Sequence, residues 1–267
     1  MFLELLEILV CPNCKTPLRL KEPESINCEI MTNYLICEND HVFQIRDGVV
    51  DFKVKEQTEG NNWSELYRQY DYETLDELLL NKVSECHKEA GLKTIDEIID
   101  RINDTQSDSI LDIATGRGIL LKSLIQNYGV TKQITCIDLS FEVLKYDRLK
   151  TRKLNPDLKI NYIACDASQL PFVENAFDIA VSLAGITNMK ESATQGVMES
   201  LRVSQCGLIS TATVVKDKNA KQHKAITESC FKKIHDIIKY PSEIYNVFEH
   251  GFQEEWFGAA ICTIKNI

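Results

Sequence analysis

The chain has 267 residues, 44% of which are hydrophobic, and its formal net charge is -10 at pH 7. This length and apolar content suffice to bury a large core in one or two domains. The acidic balance argues against a protein that mainly holds nucleic acid, because phosphate binding needs a surplus of lysine and arginine. No apolar run approaches the roughly 18 residues of a membrane-spanning helix, so we expect no membrane segment.

The segment 1–53 is predicted to form a separate small module around a metal ion. It contains a C-x2-C pair, Cys11 and Cys14, and a C-x3-H pair, Cys37 and His41. Three thiolates and one imidazole are typical of a closed, tetrahedral zinc site with no open position for water. A module this small has little core of its own, so a structural Zn²⁺ would supply folding energy.

One alternative for the metal site stays open. Cys28 is a spare thiol, which lies in the core or at the surface, or else replaces His41 as the fourth ligand. The cores of the module and of the rest of the chain look independent. Loss of Cys14 is therefore expected to unfold residues 1–53 alone.

Residues 54–104 are predicted to be a linker and a helical cap. After a polar start, residues 63–102 carry amphipathic helical patterns. Tyr67, Tyr70 and Tyr72 lie in this segment, where aromatic rings either line a ligand pocket or simply pack.

Residues 105–267 alternate between strand and helix patterns. The buried strand Ser109–Ile113 leads into a turn with two glycines, Gly116 and Gly118, and then into a helix. Glycines at such a turn let the backbone approach a ligand closely. Leu121 stands where nicotinamide-binding folds have a third glycine, so this helix start is not shaped for a pyrophosphate.

The next two predicted strands each end at a carboxylate. The strand 133–137 is followed by Asp138, and the strand 160–165 by Asp166. Ligands of open parallel sheets lie at the carboxyl ends of the strands, so Asp138 is placed to accept hydrogen bonds from a ribose. A single aspartate at a strand end also serves as a helix cap.

Four motifs follow one another along the chain: Asp112-Ile-Ala-Thr-Gly-Arg-Gly118, Asp138, Asp166-Ala167, and Leu170-Pro-Phe with Phe177-Asp178. This series resembles class I S-adenosylmethionine-dependent methyltransferases of the type 11-like group. The resemblance implies an α/β fold with a seven-stranded Rossmann-like sheet, S-adenosylmethionine as the cofactor, and Asp166 at the adenine amine. The cofactor-binding residues that it implies are Asp112, Ala114, Thr115, Gly116, Gly118, Asp138, Leu139, Asp166 and Ala167.

The module resembles two related zinc units. One is the small zinc-ribbon activator subunit of RNA and protein methyltransferases, and the other is the zinc domain of bacterial ribosomal-RNA guanine-N1 methyltransferases. The chain departs from the second because its module is acidic and its segment 184–190 lacks the characteristic proline-bearing turn. Both departures weaken the case for an RNA substrate.

The loop 184–190 follows the fourth strand and is expected to face the transferred methyl group. Thr187 and Asn188 are the candidates for substrate contact; alternatively, they only turn the chain or cap the next helix. Methyl transfer from a sulfonium depends mainly on proximity and orientation, so no catalytic triad is required. Substrate is expected to enter between this loop and the helices of residues 63–102.

The remaining sequence predicts a fifth strand at Leu208–Val215, a helix at 220–239, and a final hairpin of 243–248 with 258–265. Several lysines of that helix lie near one face. This face is either simply solvated or a docking site for an anionic partner such as RNA.

We therefore predict a cytoplasmic S-adenosylmethionine-dependent methyltransferase whose substrate is a small or medium metabolite. The ten scattered cysteines and the acidic first residues favour a reducing compartment over secretion. Two alternatives stay open: a ribosomal- or transfer-RNA base methyltransferase, and a non-catalytic protein of this fold that acts through a partner. No membrane partner is expected, and the oligomeric state is not predicted.

Overall fold

The structure is a computed structural model. It describes the following residues: 1–22, 29–52, 63–81, 85–215, 242–246, 250–252 and 255–264. The spare Cys28, the polar segment 53–62 and the predicted helix at 220–239 with its lysine face lie outside these residues. Among the described helices, none has the length and apolar character needed to cross a bilayer.

The described strands form one sheet of twelve strands. In chain order they are β1 Arg19–Leu20, β2 Asn33–Ile36, β3 Val42–Arg46, β4 Val49–Asp51, β5 Ser109–Ile113, β6 Gln133–Asp138, β7 Ile160–Ala164, β8 Ile179–Ser182, β9 Leu208–Val215, β10 Ser242–Asn246, β11 His250–Phe252 and β12 Glu255–Ile264. Across the sheet the order is β1-β2-β3-β4-β7-β6-β5-β8-β9-β12-β10, with β11 paired to β12.

Seven neighbouring strands, from β7 to β10 in that order, form the Rossmann-like sheet that the resemblance implies. Strands β7, β6, β5, β8 and β9 are parallel neighbours. Strand β12 runs antiparallel between β9 and β10, so β10 and β12 form the predicted final hairpin. The chain order reverses between β5 and β8, and such a reversal opens a crevice for a ligand at the carboxyl ends of these strands.

The module extends this sheet instead of standing apart from it. Strand β4 pairs in parallel with β7, which places Val49 opposite Tyr162 and Val50 opposite Ile163, all four buried. The expected count of seven strands is therefore too low, because β11 and the four module strands belong to the same sheet. The pairing covers an edge of β7 that would otherwise expose unpaired backbone groups.

The module and the rest of the chain share one hydrophobic core. Leu9, Leu35 and Ile45 from the module belong to the same buried cluster as Ile163 and Phe172. The expectation of two independent cores is wrong, because the apolar face of the module is buried against the large sheet. The domain boundaries after residues 53 and 104 stay predictions.

Six α-helices are described: α1 Trp63–Gln69, α2 Tyr72–Leu80, α3 Glu85–Thr105, α4 Ile119–Tyr128, α5 Phe141–Leu154 and α6 Ala193–Val203. Short 3-10 helices span Leu3–Glu7 and Ile186–Ser192. Helix α3 buries Ile95, Ile98 and Ile102 at helical spacing in the cluster that also contains Leu124 of α4. Ser140 caps the start of helix α5, because its side chain accepts a hydrogen bond from the Val143 amide.

A buried ion pair joins the module to α5. Arg148 donates from Nε and Nη2 to the two carboxylate oxygens of Glu29, at 2.9 and 2.7 Å. Gly48 leaves room for this guanidinium, because a Cβ at that position would collide with the Arg148 side chain. A bidentate pair of this kind fixes orientation as well as distance.

Candidate functional site

The glycine turn after β5 has the backbone conformation that the sequence predicts. Ala114, Gly116 and Gly118 have φ values of 53°, 57° and 69°. Within the described part of the chain, a Cβ added to Gly116 would come within 4 Å of the Ala114 carbonyl oxygen alone, at 3.9 Å, so the turn faces open space there. A ligand can therefore approach the backbone closely at Gly116.

Asp112 lies beneath this turn with one carboxylate oxygen satisfied. Its side chain is 1% exposed, and Oδ2 accepts a hydrogen bond from the Thr115 hydroxyl at 2.7 Å. Oδ1 is buried without a hydrogen-bond partner among the described residues. Burial, aided by repulsion from Asp138, raises the pKa of Asp112 to about 7, although the Thr115 hydrogen bond opposes this. A ligand that donates a hydrogen bond here would remove the cost of the unsatisfied oxygen.

Asp138 connects the ends of β5 and β6. Its Oδ2 accepts from the Gly116 amide at 3.0 Å, and its Oδ1 accepts from the Ser140 amide at 2.9 Å. Each carboxylate oxygen can accept more than one hydrogen bond, so these two contacts do not by themselves prevent a ligand from donating to Asp138. The structure therefore brings the predicted residues Gly116 and Asp138 together, with Leu139 half-buried between Asp138 and the helix start.

The third predicted position lies on the neighbouring strand end. The Cys165 amide donates to the Asp138 carbonyl at 3.0 Å, which holds the end of β7 beside the end of β6. Asp166 follows, and its Oδ1 accepts from the amide and the hydroxyl of Ser168 at 2.8 and 2.7 Å. Asp166 and Ala167 are both half-buried at the same edge of the sheet as the glycine turn.

The loop after β8 packs against the glycine turn. The Ser182 hydroxyl donates to the Ile113 carbonyl at 2.9 Å, which ties the ends of β8 and β5 together. A Cβ at Gly185 would lie 2.5 Å from the Ala114 side chain, so only glycine fits at this contact. The Thr187 hydroxyl donates to the Ala184 carbonyl within the loop at 3.0 Å.

The two predicted substrate residues differ in exposure. Thr187 is half-buried and contributes to the turn of its own loop, whereas Asn188 is exposed. The backbone amide of Asn188 donates to the Gly185 carbonyl at 3.0 Å, and the Asn188 side chain takes no part in this contact. A role of either residue in substrate binding stays a prediction.

Sequence reasoning did not single out a group of charged side chains behind the glycine turn. Asp147 of α5 is 2% exposed, and its Oδ1 pairs with Lys150 Nζ at 3.0 Å. Lys150 Nζ also lies 2.9 Å from Oδ2 of Asp76, which α2 carries. The spacing of Asp147 and Lys150 in the sequence is ordinary for a solvated helical pair, so only the tertiary structure reveals that Asp147 is buried and Lys150 half-buried.

Tyr67 packs in the cap instead of facing solvent. Its ring stacks on that of Tyr146 with centroids 5.3 Å apart, in a small cluster that includes Leu75 and Val143. Its hydroxyl is buried with no hydrogen-bond partner in the described part of the chain. Burial raises the pKa of Tyr67 well above its usual value, and the negative charge of nearby Asp76 adds to the effect.

The four predicted metal ligands converge on one point. The Cys14 and Cys37 sulfurs are 3.7 Å apart, and His41 Nδ1 lies 3.3 to 3.6 Å from the sulfurs of Cys37, Cys11 and Cys14. Tetrahedral zinc with ordinary bond lengths gives sulfur–sulfur separations of about 3.8 Å and sulfur–nitrogen separations of about 3.6 Å. The donor set and its spacing therefore fit a tetrahedral metal ion.

The surroundings of Cys14, the second cysteine of the C-x2-C pair, favour its thiolate form. The Thr16 hydroxyl lies 3.2 Å from the Cys14 sulfur. Hydrogen bonds from Thr16, with further ones from Asn39 and His41, lower the pKa of Cys14 to about 5. A thiolate is the form of cysteine that binds a metal ion.

The metal cluster lies beside the passage that follows Asp166. The Val10 amide donates to the Pro171 carbonyl at 2.9 Å, and Gln169 donates to the Pro12 carbonyl at 2.7 Å. Because β3 is antiparallel to β4 and β4 is parallel to β7, His41 stands at the same edge of the sheet as Asp166. The segment around the C-x2-C pair thus supports the chain segment that follows Asp166, a predicted cofactor residue.

Comparison with protein families gives two matches that divide the chain as its motifs do. Residues 110–205 match the family described as "Methyltransferase domain", and residues 3–48 match the family described as "Trm112p-like protein". The chain is therefore similar to a methyltransferase domain over residues 110–205 and to a Trm112p-like protein over residues 3–48. Both resemblances drawn from the sequence are confirmed.

Curated relatives resemble the methyltransferase domain over part of their length. The chain is 33% identical over 95 residues to demethylmenaquinone methyltransferase of Porphyromonas gingivalis, which covers 36% of this chain and 38% of that protein. It is 31% identical over 133 residues to the ubiquinone/menaquinone biosynthesis C-methyltransferase UbiE of Shewanella pealeana, which covers 49% of each. The chain therefore spans half or less of the length of these two relatives.

Solved structures of low sequence identity share the fold. Magnesium protoporphyrin IX methyltransferase from Synechocystis PCC 6803, with bound SAH, superposes with a TM-score of 0.51 at 14% identity, covering 76% of this chain and 99% of that chain. The methyltransferase domain of bacterial CtHen1 gives a TM-score of 0.50 at 17% identity, covering 65% and 99%. The predicted fold class is confirmed by these superpositions.

Proposed function

We propose that the chain is an S-adenosylmethionine-dependent methyltransferase that acts on a small or medium metabolite. The observation that carries the proposal is the open glycine turn, which Asp138 holds by its contact to the Gly116 amide. Beneath the turn, the unsatisfied Oδ1 of Asp112 offers a buried acceptor to a donor group of the cofactor. A turn of this kind next to a strand-end carboxylate suits a ligand with an amino acid part and a ribose.

Each group of predicted cofactor residues would bind a different part of S-adenosylmethionine. Asp112 with the turn Ala114–Gly118 would hold the methionine part, and Asp138 the ribose hydroxyls. Asp166 and Ala167 would hold the adenine at the end of β7. When bound, S-adenosylmethionine supplies an activated methyl group. The protein positions this group and excludes water around it.

For the substrate, we propose the space beside the loop that packs on the turn. This loop, with Thr187 and Asn188, stands next to Ala114 through the close contact at Gly185. The relatives named for ubiquinone and menaquinone biosynthesis support a small-molecule acceptor. An RNA acceptor has less support, because the chain carries a net charge of -10.

For the module, we propose one structural zinc ion held by Cys11, Cys14, Cys37 and His41. All four side chains serve as ligands, which leaves no position for a reacting water. The six cysteines whose side chains the structure describes form no disulfide, which suits a reducing compartment, so we propose a cytoplasmic location. We keep residues 1–53, 54–104 and 105–267 as the proposed module, linker with cap, and methyltransferase domain.

Two measurements test this function. Titration calorimetry of the full chain with S-adenosylmethionine and with its demethylated product should give one site per chain. Incubation with methyl-labelled cofactor should then label a low-molecular-weight acceptor, with demethylmenaquinone as the first probe and a metabolite extract as the second. Label that enters structured RNA instead would favour the RNA alternative. A chain that binds neither form of the cofactor would favour the non-catalytic alternative.

A further inference from the structure

Lys150 occupies a junction between three parts of the molecule. Its Nζ lies 3.0 Å from Asp147 Oδ1 on its own helix and 2.9 Å from Asp76 Oδ2 on α2. It also donates to the main-chain carbonyl of Arg117, within the glycine turn, at 3.2 Å. One ammonium group therefore binds the turn, α5 and α2 at the same time.

The partner on α5 lies directly against the turn. A Cβ at Gly118 would stand 2.9 Å from Asp147 Oδ2, so this carboxylate occupies the space that a side chain would need. Asp147 is 2% exposed, and burial raises its pKa to about 7 although the charge of Lys150 pulls it down. The Lys150 ammonium offsets part of the cost of burying the Asp147 carboxylate behind the turn.

The partner on α2 makes a second contact to the turn. Asp76 Oδ1 lies 3.4 Å from Nη1 of Arg117, whose own carbonyl binds Lys150. Burial lowers the pKa of Lys150, but Asp147 and Asp76 outweigh it and hold that pKa above its usual value. Asp76 thus contacts the Arg117 side chain directly and the Arg117 carbonyl through Lys150.

Among the described side chains, the apolar contact that holds α1 and α2 in place is small. It has three buried residues, Tyr67, Leu75 and Val143, with the partly buried Leu66, Leu79 and Tyr146 packed against them. The large cores of the chain contain more than twenty buried residues each and lie elsewhere. Docking of α1 and α2 therefore depends strongly on the charged contacts, and segments with few buried apolar contacts open easily.

We propose that Lys150 is a positioning residue that couples the docking of the cap helices α1 and α2 to the conformation of the cofactor turn. The inference rests on the proposed function, because the ligand expected to bind at the turn is the proposed cofactor. A ligand that stabilises the Arg117 carbonyl where Lys150 binds it also stabilises the α2 contact through Asp76. The coupling is reciprocal, so a docked cap raises the affinity of the turn for its ligand by the same factor.

The chain offers a matched control for this role. Lys153, one helical turn further along α5, pairs with Glu73 of α2 at 2.7 Å. Both members of that pair are exposed, at 65% and 68%. Lys153→Met removes a lysine bridge between the same two helices without removing a ligand of the turn carbonyl.

The experiment combines calorimetry with hydrogen exchange on the full chain, using S-adenosylhomocysteine as the probe ligand. In the wild type and in Lys153→Met, we expect the ligand to increase amide protection in α1 and α2. In Lys150→Met, we expect at least tenfold weaker binding and loss of the added protection in α1 and α2, with partial recovery in Lys150→Arg. Asp76→Asn should lose the added protection in α2 with a smaller loss of affinity.

The outcomes separate the inference from the function on which it rests. Wild-type affinity and wild-type added protection in Lys150→Met would overturn the inference while the proposed function stands. A wild-type chain that does not bind the probe would overturn both. If Lys150→Met does not fold, Asp76→Asn decides, because unchanged added protection in α2 of that variant also contradicts the coupling.

Discussion

The Asp138 carboxylate accepts a hydrogen bond from the Gly116 amide at 3.0 Å and thereby closes the glycine turn against the end of the next strand. The same carboxylate accepts from the Ser140 amide at the start of α5. One side chain therefore fixes the relative position of the turn, the strand end and the helix start. The ligand acceptor predicted from the sequence is also a structural tie, and this dual role gives the first prediction.

Replacing Asp138 should weaken cofactor binding more than the loss of a single ligand contact would. Asp138→Ala removes the acceptor proposed for the ribose and releases the Gly116 amide. A hydrogen bond to a charged group contributes about 1.5–3 kcal/mol, so we expect S-adenosylmethionine to bind at least tenfold more weakly by calorimetry. The affinity of Asp138→Asn for S-adenosylmethionine should lie between those of the wild type and Asp138→Ala. Asp157→Ala, at an exposed loop position, serves as the control. Wild-type affinity in Asp138→Ala would remove this residue from the site.

The two glycines of the turn should respond differently to alanine. Both have positive φ, which costs a non-glycine residue roughly 1–2 kcal/mol. At Gly118 the new Cβ also meets the Asp147 carboxylate, so Gly118→Ala should lower the free energy of unfolding further. At Gly116 the new Cβ points into open space. Gly116→Ala should therefore lose less stability than Gly118→Ala, and its main effect should be weaker cofactor binding. Urea unfolding and calorimetry on both variants test the contrast; equal losses of both quantities would contradict it.

Metal loss should affect the whole chain, because the module shares its core with the large sheet. Elemental analysis should find about one zinc per chain. Cys14→Ser should lower the midpoint of thermal unfolding in one cooperative transition, since Leu35 and Phe172 lie in the same cluster. Cys206→Ser, which changes a half-buried thiol away from the cluster, is the matched control. Two separate thermal unfolding transitions in Cys14→Ser, with the transition of the larger domain unchanged, would contradict this prediction and favour independent cores.

The buried Asp112 should make stability depend on pH between about 4 and 7. Its pKa is about 7 in the folded chain and 3.8 as a free side chain. In this window the folded chain holds a proton that the unfolded chain has released, so this group's contribution to stability falls as pH rises. Asp112→Asn removes that dependence, and its stability relative to the wild type should rise by up to about 4 kcal/mol across the window. Urea unfolding of both proteins at several pH values measures the difference, and a constant difference would count against the raised pKa.

Local sequence patterns determine the parts of the site that depend on one strand and the turn after it. The apolar run before Asp112 and the glycines after it specify a buried strand and a ligand-facing turn. Asp138 and Asp166 each follow a buried strand, and the carboxyl ends of parallel strands meet at one edge. The metal ligands are equally readable, because Cys11, Cys14 and the C-x3-H pair have a spacing that the chemistry of tetrahedral metal binding dictates.

Contacts between distant segments were decided only by the tertiary structure. The parallel pairing of β4 with β7 joins Val50 to Ile163, and no local periodicity encodes which strand takes an open edge. The junction at Lys150 arises because α2 and the glycine turn both reach α5, and each residue alone reads as an ordinary surface charge. Local patterns specify how a segment folds, whereas burial and pairing depend on which segments then meet, which is settled by the free energy of the whole packed chain.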